Sequence, residues 1–73
     1  MTELKRLEFY GQLQTAIAEL PDIFRTTIML REIEGMTYEE IAEITQATLG
    51  TVKSRIARAR YRLQVQLQPY LEA

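Results

Sequence analysis

The sequence predicts an all-α fold of four helices, and three observations carry that prediction. Apolar residues recur at spacings of three and four along most of the 73-residue chain, which is the period of one helix face. The helix breakers are few, three glycines and two prolines, and they divide the chain into four helical pieces. No alternating run of β-branched and polar residues is bounded by hairpin turn residues, and asparagine is missing altogether, so strand signals are nearly absent.

The first helix is expected from about Thr2 to Glu19, with Leu7, Tyr10, Leu13, Ile17 and Leu20 on its inward face. Leu20-Pro21-Asp22 ends it, because proline has no amide proton and is disfavoured inside a helix but suits a first turn, where Asp22 also favours the positive end of the helix dipole. A second helix of about four turns starts there, carries Phe24, Ile28 and Leu30 inward and closes at Gly35.

Thr37-Tyr38-Glu39-Glu40 has the form of a capping box, the sharpest helix start in the chain. The third helix is short, with Tyr38, Ile41, Ala42 and Thr45 on one face, and gives way to a turn around Gln46-Ala47. Thr48 then caps a fourth helix. Its stripe of Val52, Ile56, Ala59 and Leu63 faces inward, and Pro69 is expected to stop it at about Gln68.

Composition removes several function classes. Cysteine and histidine are absent, so there is no thiolate nucleophile, no imidazole base and no expected zinc site, and no metal or other cofactor is expected. Glu39, Glu40 and Glu43 lie along a short helix without a nucleophile or metal partner. Capping and solubility explain them better than catalysis, and the chain is read as a non-enzyme with no small-molecule substrate. No apolar run approaches the roughly 20 residues that span a bilayer, and Met1-Thr2-Glu3-Leu4-Lys5-Arg6 lacks the apolar segment of a signal peptide. A cytoplasmic protein without membrane contact is expected, with residues 1–73 forming a single domain.

The formal net charge of −1 hides a segregation along the chain. Acidic side chains outnumber basic ones nine to four from Met1 to Glu43, whereas Ile44 to Leu71 holds five basic residues and no acidic one. Those five, Lys53, Arg55, Arg58, Arg60 and Arg62, fall within ten residues. Such a stripe is an electrostatic footprint for a polyanion, against the plainer reading of a solvated helix face.

Two helices joined by a short turn, the first acidic outside and the second basic outside, are the parts of a DNA-reading helix-turn-helix. Ala42, between Ile41 and Ile44, is the small residue that lets the second helix cross closely; an ordinary core alanine plays the same part. A reading helix enters the major groove by its N-terminal end, so small and hydrogen-bonding residues are needed there and cations further along, as in Thr48 to Arg55. Gly50, a poor helix former in that first turn, implies a close approach by DNA or by the neighbouring helix. Lys53, Ser54 and Arg58 are the best candidate base readers, with Thr51 able to serve bases or phosphates. A single duplex does not touch Arg55, Arg60 and Arg62 together, so some clamp phosphates and others are solvated.

Three linked stretches carry a family resemblance: Leu20-Pro21-Asp22-Ile23-Phe24-Arg25, then Leu30 through Ile44, then Gly50 through Arg60. Together they resemble region 4 of extracytoplasmic-function sigma factors of the sigma-70 family, over residues 20–63. The resemblance implies a four-helix helix-turn-helix domain, winged-helix-like but without a wing. It implies that the fourth helix reads the minus-35 element of double-stranded promoter DNA, while the rest docks on the β flap of core RNA polymerase. An anti-sigma factor is a further possible partner. By position, Thr51, Lys53, Ser54, Ala57 and Arg58 correspond to the base-contacting surface and Arg31, Thr37, Tyr38 and Arg55 to phosphate contacts; Arg60 of the cationic stripe joins the candidate phosphate contacts on its charge.

The chain departs from the family pattern at two places. Lys53 stands where arginine is usual, keeping the charge but losing the bidentate fork, so a softer base preference is expected there. Ala57 offers only a methyl-sized contact, as to thymine. Thr45-Gln46-Ala47-Thr48 replaces the usual apolar residue, glycine, apolar residue and frequent proline of the turn. Sigma factors also carry a domain that melts the minus-10 element, for which this chain has no residues, so it is either a domain of a longer protein or a stand-alone relative. Two alternatives stay open: a protein-interaction module that binds the flap or an anti-sigma factor, and a stand-alone helix-turn-helix regulator acting as a dimer on a palindromic site.

Overall fold

Thr2 starts the first helix in the computed structural model, which describes residues 2–72. Its hydroxyl accepts from the Lys5 amide at 3.2 Å, and α1 runs Glu3–Ala18. The chain continues through α2 (Asp22–Glu32), α3 (Tyr38–Thr45) and α4 (Leu49–Leu71), with no strand among the described residues. The all-α, four-helix expectation holds. Arg25 pins the first corner: it pairs with Asp22 and donates to the carbonyls of Ala18 and Leu20, both at 3.1 Å, satisfying groups the end of α1 leaves open.

Gly35 closes the α2 corner in the left-handed region at φ 68°, and the Met36 amide reaches back to the Leu30 carbonyl at 3.1 Å. At α3 both halves of the capping box form: the Thr37 hydroxyl accepts from the Glu40 amide at 3.1 Å and the Glu40 carboxylate from the Thr37 amide at 2.9 Å. Gln46 takes the left-handed conformation at φ 55° to end α3, and Thr48 caps α4 by accepting from the Thr51 amide at 3.1 Å.

The long α4 packs against each of the other three helices, most extensively α2, and the core lies along its inward stripe. Leu20, Ile28, Ile41, Val52, Ile56 and Ala59 form the buried cluster, with Phe24, Leu30, Met36, Tyr38, Ala42, Ala47 and Leu63 packed around it. Burying each of the larger aliphatic side chains stabilises the fold by about 1.5–3 kcal/mol before entropy is counted. Thr27 is the one buried polar side chain among the described residues, and its hydroxyl donates to the Ile23 carbonyl at 2.7 Å.

Three expectations need correction. Leu7 and Tyr10 are 58% and 52% exposed, because at about 100° per residue they lie off the face through which α1 packs; that face runs through half-buried Phe9 to Leu13, Ala16, Ile17 and Leu20. Helix α2 has 11 residues, about three turns, since it ends at Glu32 and the next residues form the Gly35 corner. Helix α4 passes through Pro69 to Leu71. The ring removes only the bond to the Val65 carbonyl, one turn from the helix end and in solvent, and Gln68 Nε2 donates across it to Glu72 Oε1 at 2.6 Å.

Candidate nucleic-acid interface

The buried stripe of α4 fixes where its polar residues point. At about 100° per residue, Ser54 lies opposite Val52, Ile56 and Ala59, in the middle of the outer face. Thr51, Ala57 and Arg58 flank it, and Lys53, Ser54, Ala57 and Arg58 are all exposed while Thr51 is half-buried. Seven residues is nearly two whole turns, so Lys53 and Arg60 share one edge of this face, and Arg55 and Arg62 share the other. The result is a strip of small and polar groups between two cationic edges.

Each edge is anchored to an opposite end of α2. Arg60 Nη2 lies 2.6 Å from Glu32 Oε1 at the C-terminal end, with both side chains about half exposed at 52% and 53%. The hydrogen bond to that carboxylate raises the Arg60 pKa above its already high ordinary value, and Tyr38 adds a smaller contribution. The Arg62 guanidinium sits over the Phe24 ring, 5.3 Å from its centroid, near the other end of α2. Phe24, Ala57, Arg58, Tyr61 and Arg62 line an open cleft of about 550 Å³ beside the strip.

The candidate phosphate residues outside α4 also come together. The Arg31 guanidinium lies 4.8 Å from the Tyr38 ring centroid and donates from Nη1 to the Met36 carbonyl at 2.9 Å, so its plane is held at the start of α3. Thr37 is exposed at that same helix start, and its hydroxyl caps α3. Arg31, Thr37 and Tyr38 therefore adjoin the Lys53 and Arg60 edge, through Tyr38 beside Arg60. Arg55, half-buried, stands apart on the other edge.

Nothing lies within 4 Å of where a side chain at Gly50 would begin, so the neighbouring helix does not require glycine there and the space faces outward. Thr51 Oγ accepts from Thr48 Oγ at 2.9 Å, which holds the hydroxyl at the helix start with its own proton free. Glu32 and Phe24 enter the site without having been singled out for it. Their partners are far away in sequence, 28 residues in the case of Glu32 and Arg60, and local periodicity carries no such signal.

Between α1, α2 and α4, Leu13, Ile17, Ile28, Met29, Ile33 and Leu63 line an apolar groove of about 160 Å³, with Glu32, the partner of Arg60, as its one charged lining residue. Ile33 at its rim is 65% exposed. No helix among the described residues is long and apolar enough to cross a membrane.

The family described as Sigma-70, region 4 matches residues 10–63. The chain is 44% identical over 70 residues to the ECF RNA polymerase sigma-E factor of Haemophilus influenzae, a match covering 96% of this chain and 34% of the relative. It is 46% identical over 66 residues to the RNA polymerase sigma-H factor of Pseudomonas aeruginosa, covering 90% and 34% respectively. The Escherichia coli K12 ECF RNA polymerase sigma-E factor is 42% identical over 69 residues, covering 94% and 34%. The chain thus spans about a third of the length of these relatives.

Proposed function

The chain belongs to the sigma-70 region 4 family, and from that premise we propose that it binds the minus-35 element of promoter DNA as part of a sigma factor directing RNA polymerase to start transcription. The observation that carries this reading is the strip of Thr51, Ser54, Ala57 and Arg58 between the edge of Lys53 and Arg60 and the edge of Arg55 and Arg62. A helix seated in the major groove meets base edges along its middle and a phosphate strand on either side. Thr51, Ser54, Ala57 and Arg58 on the strip are the base contacts in this reading, together with Lys53, whose long side chain reaches base edges from the margin it shares with Arg60. Arg31, Thr37, Tyr38, Arg55 and Arg60 are the phosphate contacts.

The role is one of binding and not catalysis, is performed by the chain as one domain, and is placed in the cytoplasm, where the polymerase works. Affinity of the isolated chain for duplex is expected to be modest, because a handful of phosphate contacts without a tether supports only weak binding at physiological salt. The test is a titration of duplex bearing a GGAAC-type minus-35 element against a scrambled duplex over a salt series. Tighter binding to the element, falling steeply with salt, is the expected result; equal weak binding to both duplexes would count against the reading.

A second reading accompanies it, favoured by the apolar groove between α1, α2 and α4. We assign that groove to a protein partner, the flap of core RNA polymerase, with an anti-sigma factor as a competitor for the same surface. Ile33→Asp at the exposed rim is expected to abolish flap binding while leaving duplex affinity within about twofold, a limit set by one added charge outside the strip. Unchanged flap binding would remove the groove from the proposal.

A further inference from the structure

We propose that Glu32 sets the strength of the DNA interface by holding Arg60 as an internal counter-ion that a phosphate must displace. This deepens the reading above and rests on it. The pair joins α2 to the Lys53 and Arg60 edge of α4 through a 2.6 Å hydrogen bond, with both side chains half exposed, so solvent and a phosphate oxygen have access to the same guanidinium.

The position of Glu32 argues that the pairing is not incidental to helix stability. It is the last residue of α2, where the negative end of the helix dipole disfavours a carboxylate. Its carboxylate reaches Arg60 instead of any group on its own helix. Arg60 in turn adjoins Tyr38, whose ring carries the Arg31 guanidinium at 4.8 Å, so the masked cation belongs to the cluster proposed to meet one phosphate strand.

The exchange is close to balanced. An exposed ion pair is weak and screened by salt, whereas a guanidinium–phosphate contact is a charge-assisted hydrogen bond of similar or greater strength. Arg60 therefore adds less to DNA binding than does Arg58, which has no carboxylate partner among the described residues, and removing the Glu32 charge releases the difference. Glu32→Gln is expected to tighten binding to the element-bearing duplex about two- to fivefold at low salt. The log–log salt slope steepens by up to about 0.9, the increment for one more neutralised phosphate.

Loss of any nearby negative charge would also favour DNA, so two comparisons isolate the pair. Glu34→Gln, at an exposed acidic position two residues on, reports the general charge effect. Glu32→Gln made in the Arg60→Gln background reports what remains when the guanidinium is gone. The expected result is a gain for Glu32→Gln that exceeds that of Glu34→Gln and shrinks to the same level when Arg60 is absent. Equal gains from Glu32→Gln and Glu34→Gln, or an undiminished gain without Arg60, would overturn the proposal while leaving promoter reading intact. A wild-type chain that shows no preference for the element would instead bring down the functional reading, and this inference with it.

Discussion

Thr37 and Glu40 cap one another across the first turn of α3, the hydroxyl accepting from one amide at 3.1 Å and the carboxylate from the other at 2.9 Å. The reciprocal bonds satisfy two amides that a helix start leaves open, and they fix the direction in which α3 leaves the Gly35 corner. Thr37→Ala is expected to cost about 1 kcal/mol, and about 4–8 °C in Tm for a domain of this size. Thermal unfolding followed by circular dichroism measures it; an unchanged Tm would mean the cap contributes nothing.

The same contact gives the stability a pH dependence of definite sign. The bonds from the Thr37 amide and hydroxyl lower the Glu40 pKa below its ordinary value of 4.5. Because the folded value is the lower one, the contribution is fully present above the unfolded value and is lost as pH falls through the folded value. Urea midpoints measured from neutral pH down to pH about 3 are expected to fall less steeply in Glu40→Gln than in the wild type over that acid window. Parallel curves would remove Glu40 from the account.

The two left-handed corners respond in opposite directions to substitution. Gly35 has φ 68° with nothing within 4 Å of an added Cβ, so Gly35→Ala carries only the backbone penalty, about 1–2 kcal/mol of lost stability. Gln46 already bears that penalty at φ 55°. Gln46→Gly is expected to stabilise the chain by about 0.5–1 kcal/mol after the added freedom of the unfolded glycine is counted. A destabilised Gln46→Gly would show that the glutamine side chain contributes something the corner needs.

Core truncation tests the placement of α4. Ile56 is 2% exposed and lies on the stripe that packs against the other helices. Ile56→Ala is expected to cost about 2–5 kcal/mol, a large share of the total stability of a small domain. Val65→Ala, at a position 55% exposed on the same helix, should stay within about 0.5 kcal/mol. Chemical denaturation of the two variants separates them, and similar losses would place the stripe wrongly.

Much of the fold was legible because its corners are chemically marked. Pro21, Gly35, the Thr37 box and the Thr48 cap each leave a local signature, and all four fall where the helices break. Gln46 shows that a corner can keep its left-handed geometry without the family's glycine, because the Ala47 amide bonds back to the Ala42 carbonyl at 2.9 Å and holds the chain there. What the sequence did not disclose depends on tertiary placement. Leu7 and Tyr10 sit at helical spacings yet off the packed face, which passes through Phe9 instead, and Pro69 is tolerated because the bond it removes is one turn from the end. In the candidate interface, the strip of α4 followed from helical phase, whereas the engagement of Arg60 by Glu32 and of Arg62 by Phe24 required the packing of α2.

The central claim is the division of α4 into a reading strip and phosphate edges, and the direct measurement compares Arg58→Ala with Arg55→Ala on element-bearing and scrambled duplexes across a salt series. Arg58→Ala is expected to collapse the affinity ratio between the two duplexes, by the roughly 1–3 kcal/mol that a good base contact discriminates. Arg55→Ala should weaken both duplexes together and flatten the salt slope by about 0.9 with the ratio preserved. Equal loss on both duplexes for Arg58→Ala, or a collapsed ratio for Arg55→Ala, would contradict the assignment.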